Sequence, residues 1–188
     1  KEIPYDERQA EVISQQSNIS MLLASIMAAR GITSTTAAAY MIPKLQNLMP
    51  NPSVMKDVDK AASKIASVII EQKKIGIIGD YDVDGATSSA VLRLFLESVG
   101  IQPEVHIPER EEGYGPSTMA FDAFKKQGID FVITTDCGTT AFDVFDYAKT
   151  QGFEVIVLDH HEAEVSLPNV YALVNPKRLD EDNDYPYL

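Results

Sequence analysis

The sequence predicts an α/β fold in which helices flank an open parallel β-sheet and an amino-terminal helical extension precedes it. Short apolar runs, such as residues 75–79 and 155–158, have the length and composition of buried strands. Longer segments with helical periodicity separate these runs. Strands that alternate with helices are typical of βαβ units, which build parallel sheets.

The first 74 residues carry only helical patterns. Residues 1–16 are polar, and we expect them to be a loosely held lead-in. Gly31 and Pro43 end the first two predicted helices, and residues 45–52 read as a connector. The helices of this part are predicted at 18–31, 33–42 and 54–73.

From residue 75 onward the pattern alternates between strands and helices. The strands are predicted at 75–79, 104–107, 130–135, 154–158 and 171–174, and the helices at about 86–99, 117–127 and 140–151. We therefore expect two parts, a helical extension over residues 1–74 and an α/β domain over residues 75–188.

Composition limits the classes of function. The chain has 188 residues and a net charge of −12, which argues against strong nucleic-acid affinity in this piece alone. No apolar run approaches the ~20 residues that span a bilayer, so we expect no membrane partner. Cys137 is the single cysteine, which fits a reducing cytosol, and we expect a cytoplasmic protein.

Two acidic motifs follow predicted strands. The first acidic motif is Asp80-Tyr81-Asp82-Val83-Asp84-Gly85, and the second is Asp159-His160-His161. Ligand crevices of open α/β sheets lie at the carboxyl ends of the strands, where both motifs fall. Carboxylates packed this closely are costly unless a cation neutralises them. The motifs therefore predict a metal site.

In the first motif, Asp80, Asp82 and Asp84 would point the same way from an extended or loop backbone. Their oxygen ligands suit Mg²⁺ or Mn²⁺. An EF-hand loop is excluded, because its twelfth position needs Glu and is Val91 here. Two alternatives stay open: a solvated acidic turn, and a phosphatase motif in which Asp82 is the nucleophile and Asp84 the acid.

The strand that lies between the two motifs in sequence ends at Asp136, a candidate bridging carboxylate whose alternative role is a turn cap. In the second motif, neighbouring imidazoles point in opposite directions on an extended chain. We expect one of His160 and His161 to bind metal and the other to reach substrate or a buried partner. Imidazole ligands favour Mn²⁺ over Mg²⁺.

A charged loop at residues 107–115 supplies two further candidates. Arg110 could clamp a phosphate, and Tyr114 could stack on a base. On these residues alone, a charged surface turn is the better interpretation.

These motifs, in this order, resemble those of the DHH phosphoesterase superfamily, whose domain is Rossmann-like. Its first motif is matched by Asp80, Asp82 and Asp84, its second by Asp136 and its third by Asp159-His160-His161. Within it, the chain most resembles the RecJ branch, which consists of single-stranded-DNA-specific 5′→3′ exonucleases. Residues 40–45, 52–58, 79–87 and 112–115 carry that narrower resemblance.

The resemblance implies a two-metal site that contains Mn²⁺ or Mg²⁺. Asp80, Asp82 and Asp136 would hold one ion, and Asp84, Asp136 and His160 would hold the other. His161 would contact the scissile phosphate, and Asp159 would support the site from behind. The implied partners are single-stranded DNA and other repair proteins, and the implied role is DNA repair and recombination.

The family's fourth metal-binding Asp and its DHHA1 domain are not found in these residues. We therefore expect residues 75–188 to be an incomplete DHH domain of a longer protein, with weak metal binding and little nuclease activity alone. The alternatives are a nano-RNase, a phosphatase or pyrophosphatase acting on small phosphoesters, and a non-catalytic replication scaffold.

Overall fold

The computed structural model describes residues 3–182, which form two compact units divided between Asn51 and Pro52. The ends of the predicted parts, residues 1–2 and 183–188, lie outside this description. The division differs from the boundary expected after residue 74, because the helix that precedes the first strand packs on the sheet of the second unit.

The first unit consists of short helices. They are α1 (Glu7–Ser17), α2 (Met21–Ala29), α3 (Ala37–Met41) and α4 (Leu45–Leu48). The expected loose lead-in is wrong for the described residues, because α1 is a capped helix. The Asp6 side chain accepts a hydrogen bond from the Gln9 backbone N–H at 3.2 Å, and Ala10 and Ile13 are fully buried.

The second unit begins with a 3₁₀ turn (Pro52–Val54) and helix α5 (Val58–Ile70). The strands that follow are β1 (Ile75–Ile78), β2 (Glu104–His106), β3 (Phe131–Thr135), β4 (Glu154–Leu158) and β5 (Ala172–Val174). The helices between the strands are α6 (Val83–Ser98), α7 (Thr118–Lys126) and α8 (Phe142–Thr150). Every strand pairing is parallel, which confirms the predicted fold class.

The sheet has an apolar layer on each face. Helices α5 and α6 cover one face, where Ala61, Val68 and Leu96 pack against strand residues such as Ile77. Helices α7 and α8 cover the other, where Phe121, Phe124 and Phe145 are buried. Each large apolar side chain contributes ~1.5–3 kcal/mol on burial, so both layers stabilise the sheet edge that carries the polar residues.

Strand order explains where the polar residues gather. The order in the sheet is β2-β1-β3-β4-β5, so the chain leaves β1 in one direction and returns on its other side as β3. The topological switch point therefore lies between β1 and β3, where open α/β sheets bind ligands outside the carboxyl ends of the strands. The first acidic motif follows β1, and Asp136 follows β3.

Within residues 3–182, no helix combines the length and the apolar character that crossing a bilayer requires.

Candidate metal centre

The carboxyl end of β1 buries an acid. Asp80 is only 2% exposed, and its Oδ1 atom has no hydrogen-bond partner among the described residues. Helix α6 starts directly above it, since a Cβ atom at Gly85 would collide with the Asp80 backbone. Glycine at position 85 therefore lets the positive end of the helix approach this carboxylate.

Asp82, in the same acidic motif as Asp80, is the N-cap residue of α6. Its Oδ1 accepts a hydrogen bond from the Gly85 backbone N–H at 3.0 Å. That hydrogen bond holds the pKa of Asp82 below its ordinary value. The helix consequently begins at Val83, earlier than the predicted residue 86.

Asp84 shows where the extended-backbone prediction is wrong. It lies in the first turn of α6, where residues no longer alternate between two sides. Its side chain is exposed and lines a neighbouring cavity. The helical backbone therefore separates Asp84 from the pair formed by Asp80 and Asp82.

Asp136 follows β3 in a strained conformation. Its φ of 62° lies in the left-handed region, which non-glycine residues seldom adopt. Its Oδ1 lies 2.9 Å from Nε2 of His160, and its buried Oδ2 has no hydrogen-bond partner in the described chain. Burial, together with the charge of Asp82, raises the pKa of Asp136.

Asp159, after β4, is buried but fully hydrogen-bonded. Its Oδ1 accepts from the backbone N–H groups of His160 and His161, at 2.8 and 3.2 Å, and lies 2.7 Å from Nδ1 of His161. Its Oδ2 accepts from the Thr139 N–H at 2.9 Å. Burial raises the pKa of Asp159, but the hydrogen bonds from Thr139 and His161 outweigh burial and hold it below its ordinary value.

Because a carboxylate only accepts hydrogen bonds, the short contact to Asp159 places a proton on Nδ1 of His161. In the neutral ring, Nε2 then carries the lone pair. Asp159 thus orients the imidazole, and its own oxygens are occupied. The role of Asp159 as a support for the site, rather than as a metal ligand, stays a prediction.

Two groups of ligand atoms meet at Asp136. Asp80, Asp82 and Asp136 form one group, and Asp136, His160 and His161 form the other, with the atoms of each group within 4.8 Å of one another. Asp80 and Asp136 each have a buried oxygen without a hydrogen-bond partner among the described residues. Carboxylates this close to one another also repel when both are ionised. Oxygen and imidazole donors with unused lone pairs suit Mg²⁺ or Mn²⁺.

The predicted ligands are thus mostly brought together. Within the described residues, Asp84 belongs to neither group, and His161 joins the group in which only His160 was expected as a ligand. The individual ligand assignments stay predictions.

The loop between β2 and α7 reaches this centre through Tyr114. Its hydroxyl lies 3.2 Å from the Asp136 carbonyl oxygen and 3.1 Å from Nδ1 of His161, and the two rings meet edge to face. Arg110 is exposed, with its guanidinium 5.0 Å from the centroid of the Tyr81 ring. The contact of Arg110 and of Tyr114 with substrate stays a prediction.

A cavity of about 840 Å³ adjoins the centre. Its lining includes the polar residues Asp84, Asp136 and His160. Val91 and Phe95 of α6 are among its apolar lining residues. The cavity therefore borders carboxylates of the centre.

Sequence reasoning did not single out Thr139 and Asn175. Asn175 follows β5, is fully buried, and donates from Nδ2 to Thr139 Oγ1 and to the His161 carbonyl oxygen, each at 2.8 Å. Its position directly after a strand, at the same sheet edge as both acidic motifs, was the available signal. Cys137, in contrast, is buried as expected, and burial strongly raises its pKa.

The fold and these two groups define an α/β protein with a candidate divalent-metal centre at the carboxyl edge of a parallel sheet. The model of the DHH family, N-terminal domain, matches residues 74–182. The chain therefore belongs to the DHH family, which confirms the resemblance drawn from the acidic motifs.

Sequence relatives agree with this membership. The chain is 37% identical over 174 residues to the single-stranded-DNA-specific exonuclease RecJ of Bacillus subtilis (strain 168), covering 92% of this chain and 22% of that protein. It is 32% identical over 161 residues to the Escherichia coli (strain K12) RecJ, covering 85% and 27%. The chain spans about a quarter of the length of these relatives.

Solved structures agree with the fold. The crystal structure of RecJ in complex with Mn²⁺ from Thermus thermophilus matches 97% of this chain and 25% of that one, with a TM-score of 0.75 and 24% identity. A crystal structure of exonuclease RecJ bound to manganese matches 69% of this chain and 34% of that one, with a TM-score of 0.62 and 31% identity.

Proposed function

We propose that this chain is the catalytic core of a metal-dependent phosphodiesterase that removes nucleotides from single-stranded DNA in the 5′→3′ direction. The observation that carries the proposal is the sharing of Asp136 between two groups of ligand atoms. The RecJ relatives, which are single-stranded-DNA-specific exonucleases, match most of the chain and support the substrate class.

The orphaned oxygens of Asp80 and Asp136 supply the physical reason for a metal. Asp80, Asp82 and Asp136 would hold one Mn²⁺ or Mg²⁺ ion, and Asp136 and His160 would hold a second. Bound ions of this kind lower the pKa of a water and stabilise the attacking and leaving oxygens of an in-line displacement. The similar exonuclease RecJ that was crystallised with manganese supports this choice of metal.

The chain's own residues would position the phosphate. The Nδ1–H of His161 donates to Asp159, so the ring is held in one orientation, with its Nε2 3.2 Å from the Tyr114 hydroxyl. A protonated Nε2 can donate to a phosphate oxygen that gains charge during displacement. The Tyr114 hydroxyl, which contacts both His161 and the Asp136 carbonyl, orders the same side of the site.

Substrate contacts outside the metal centre would come from the loop that carries Arg110 and Tyr114. The chain's net charge of −12 opposes binding to phosphates, so the exposed Arg110 guanidinium beside Tyr81 of the first acidic motif matters more than it would on a basic protein. We place the activity in the cytoplasm, in DNA repair and recombination, where other repair proteins would be partners.

The test uses the 188-residue chain in molar excess over its substrate, so that weak activity is detectable. With Mn²⁺ present, a single-stranded DNA oligonucleotide labelled at its 3′ end should lose mononucleotides from the 5′ end, and a blunt duplex should resist. Asp136→Ala should lower the rate at least about 100-fold. The matched control is Asp143→Ala, in the first turn of α8.

Other outcomes separate the alternatives. Faster digestion of short oligoribonucleotides would place the chain in the nano-RNase branch. Faster turnover of pyrophosphate would show a small-phosphoester hydrolase. An Asp136→Ala protein that cleaves DNA as fast as the wild type would refute the proposal.

A further inference from the structure

Asn175 follows β5 and belongs to neither of the two groups of ligand atoms, but it contacts residues next to them. We propose that Asn175 is a positioning residue that holds the Asp159-His160-His161 turn in its working geometry. This inference rests on the proposed function, because it names a further residue of the same site. Asn175 is fully buried directly after β5, at the sheet edge where the acids gather.

The hydrogen bonds of Asn175 define its orientation. Nδ2 donates to the His161 carbonyl oxygen and to Thr139 Oγ1, each at 2.8 Å, and Oδ1 accepts from the Lys177 backbone N–H at 2.8 Å. Since a carbonyl can only accept and an N–H can only donate, the amide cannot be flipped without losing these bonds. A carboxylate or an apolar side chain could not replace both donors.

Asn175 acts on both ends of the turn. Its first bond holds the backbone of His161 directly. Its second holds Thr139, whose own N–H donates to Oδ2 of Asp159 at 2.9 Å. Oδ1 of the same Asp159 lies 2.7 Å from Nδ1 of His161. The ring of His161 is therefore connected to Asn175 by two separate routes.

The physical consequence concerns the His161 imidazole. With Asn175 present, Thr139 holds the Asp159 carboxylate against Nδ1 of His161, which favours the tautomer with its proton on Nδ1. Without it, the Thr139 hydroxyl and the His161 carbonyl lose a buried donor, and the turn gains freedom. Loss of residues that orient ligands in this way typically lowers metal affinity or activity about 10- to 100-fold.

The test measures the tautomer of the His161 imidazole and does not depend on hydrolysis. Long-range ¹H–¹⁵N NMR spectra of the metal-free chain at alkaline pH report the tautomer of each of its three histidines. His161→Gln assigns the His161 signals. The wild type should show His161 protonated on Nδ1. Asn175→Ala should shift His161 toward a mixture of tautomers and leave His106 unchanged.

Controls separate positioning from general stability. Asn169→Ala removes an exposed asparagine whose Oδ1 accepts from Lys149 at 2.7 Å, and it should leave the histidine spectra unchanged. If Asn175→Ala does not fold, Thr139→Val removes the hydroxyl with little change in shape, and Thr139→Ser restores it. The valine variant should shift the His161 signals, and the serine variant should keep them as in the wild type.

The outcomes decide the proposal independently of hydrolysis. A folded Asn175→Ala, or a folded Thr139→Val, whose His161 signals equal those of the wild type would overturn it. A shift in those signals in a chain that cleaves no phosphodiester would support the positioning role while refuting the proposed function.

Discussion

His160 Nε2 lies 2.9 Å from Asp136 Oδ1, so the ends of two neighbouring strands, β3 and β4, meet through one contact. Asp136 also belongs to the group formed with Asp80 and Asp82 after β1. One carboxylate in a left-handed backbone conformation thus joins both halves of the centre. Its strain and burial are costs that a bound cation would offset.

Asp136 and Asp159 are both buried, yet their pKa values move in opposite directions. Because the pKa of Asp136 is raised in the folded state, ionising this carboxyl costs more there than in the unfolded chain. The folded state therefore loses stability as the pH rises through the raised pKa. The lowered pKa of Asp159 means that its ionised form favours folding, and this contribution is lost as the pH falls through its pKa.

Asparagine substitutions at these two positions should therefore have opposite effects on the metal-free protein. At neutral pH, Asp136→Asn should raise the midpoint of thermal unfolding, and Asp159→Asn should lower it. We expect ~1–3 kcal/mol for Asp159→Asn, since its backbone donors lose a charged acceptor. The measurement is differential scanning calorimetry without divalent metal, repeated at acidic pH, where both differences should shrink. Equal signs at neutral pH would contradict this account.

Gly85→Ala should destabilise the protein more than an ordinary glycine substitution. Its new methyl group would collide with the Asp80 backbone, which cannot move aside as a flexible side chain could, so relieving that overlap costs ~3 kcal/mol or more. The matched control is Gly100→Ala, where φ is +87° but nothing lies within 4 Å, so only backbone strain of ~1–2 kcal/mol is expected. Urea denaturation compares the two, and equal losses would show that helix α6 is not held against β1 as described.

Arg178→Ala should weaken the attachment of edge strand β5. The Arg178 side chain is only 8% exposed, and its Nη1 donates to Asp57 Oδ2 at 2.9 Å and to the Leu173 carbonyl at 2.6 Å. Asp57 Oδ2 also accepts from the Leu173 N–H at 3.1 Å. Removing the arginine leaves a partly buried charge unpaired, at a cost of ~2–4 kcal/mol.

The control for that prediction is Arg93→Ala, which breaks the exposed pair between Arg93 and Glu97 on α6. Solvent screens such exposed pairs, so the midpoint of chemical denaturation should stay close to that of the wild type. Hydrogen exchange at the Leu173 amide gives a local reading, because only Arg178→Ala should accelerate it. Similar losses of stability for both arginines would contradict the role assigned to Arg178.

Cys137 should be unreactive in the folded protein. Its side chain is fully buried, its sulfur donates weakly to the Thr135 carbonyl at 3.5 Å, and burial strongly raises its pKa. The thiolate, which is the reactive form, is therefore scarce at neutral pH. Ellman's reagent should modify the thiol only after guanidinium unfolds the chain. Rapid modification of the native protein would instead indicate an accessible nucleophile.

Much of the fold was predictable because each strand of the sheet is a short apolar run bounded by breakers. The segment 154–158 is a strand with its predicted bounds, and the remaining strand ends differ by a residue or so. Helix α1 was missed because its segment is mostly polar, with a buried face supplied chiefly by Ala10 and Ile13. Its cap, Asp6, was a signal that composition alone hides.

The site was predictable where strand ends determine position, and less so where a helix begins. Asp80, Asp136 and His160 follow strands, so their meeting at one sheet edge follows from the parallel order. Asp84 was expected beside Asp82 because an extended backbone was assumed. Asp82 instead caps the helix, and Asp84 turns away with it. Such local competition between loop and helix is decided by the cap, which the spacing of acids does not reveal.

The central claim is that carboxylates from two strand ends and an imidazole from a third share divalent ions through Asp136. The most direct measurement is an anomalous difference map from a crystal of this chain soaked in Mn²⁺. We predict density at Asp136 that contacts Asp80 and Asp82 on one side and His160 on the other. Density at surface carboxylates alone, with Asp136 unliganded at saturating Mn²⁺, would contradict the claim.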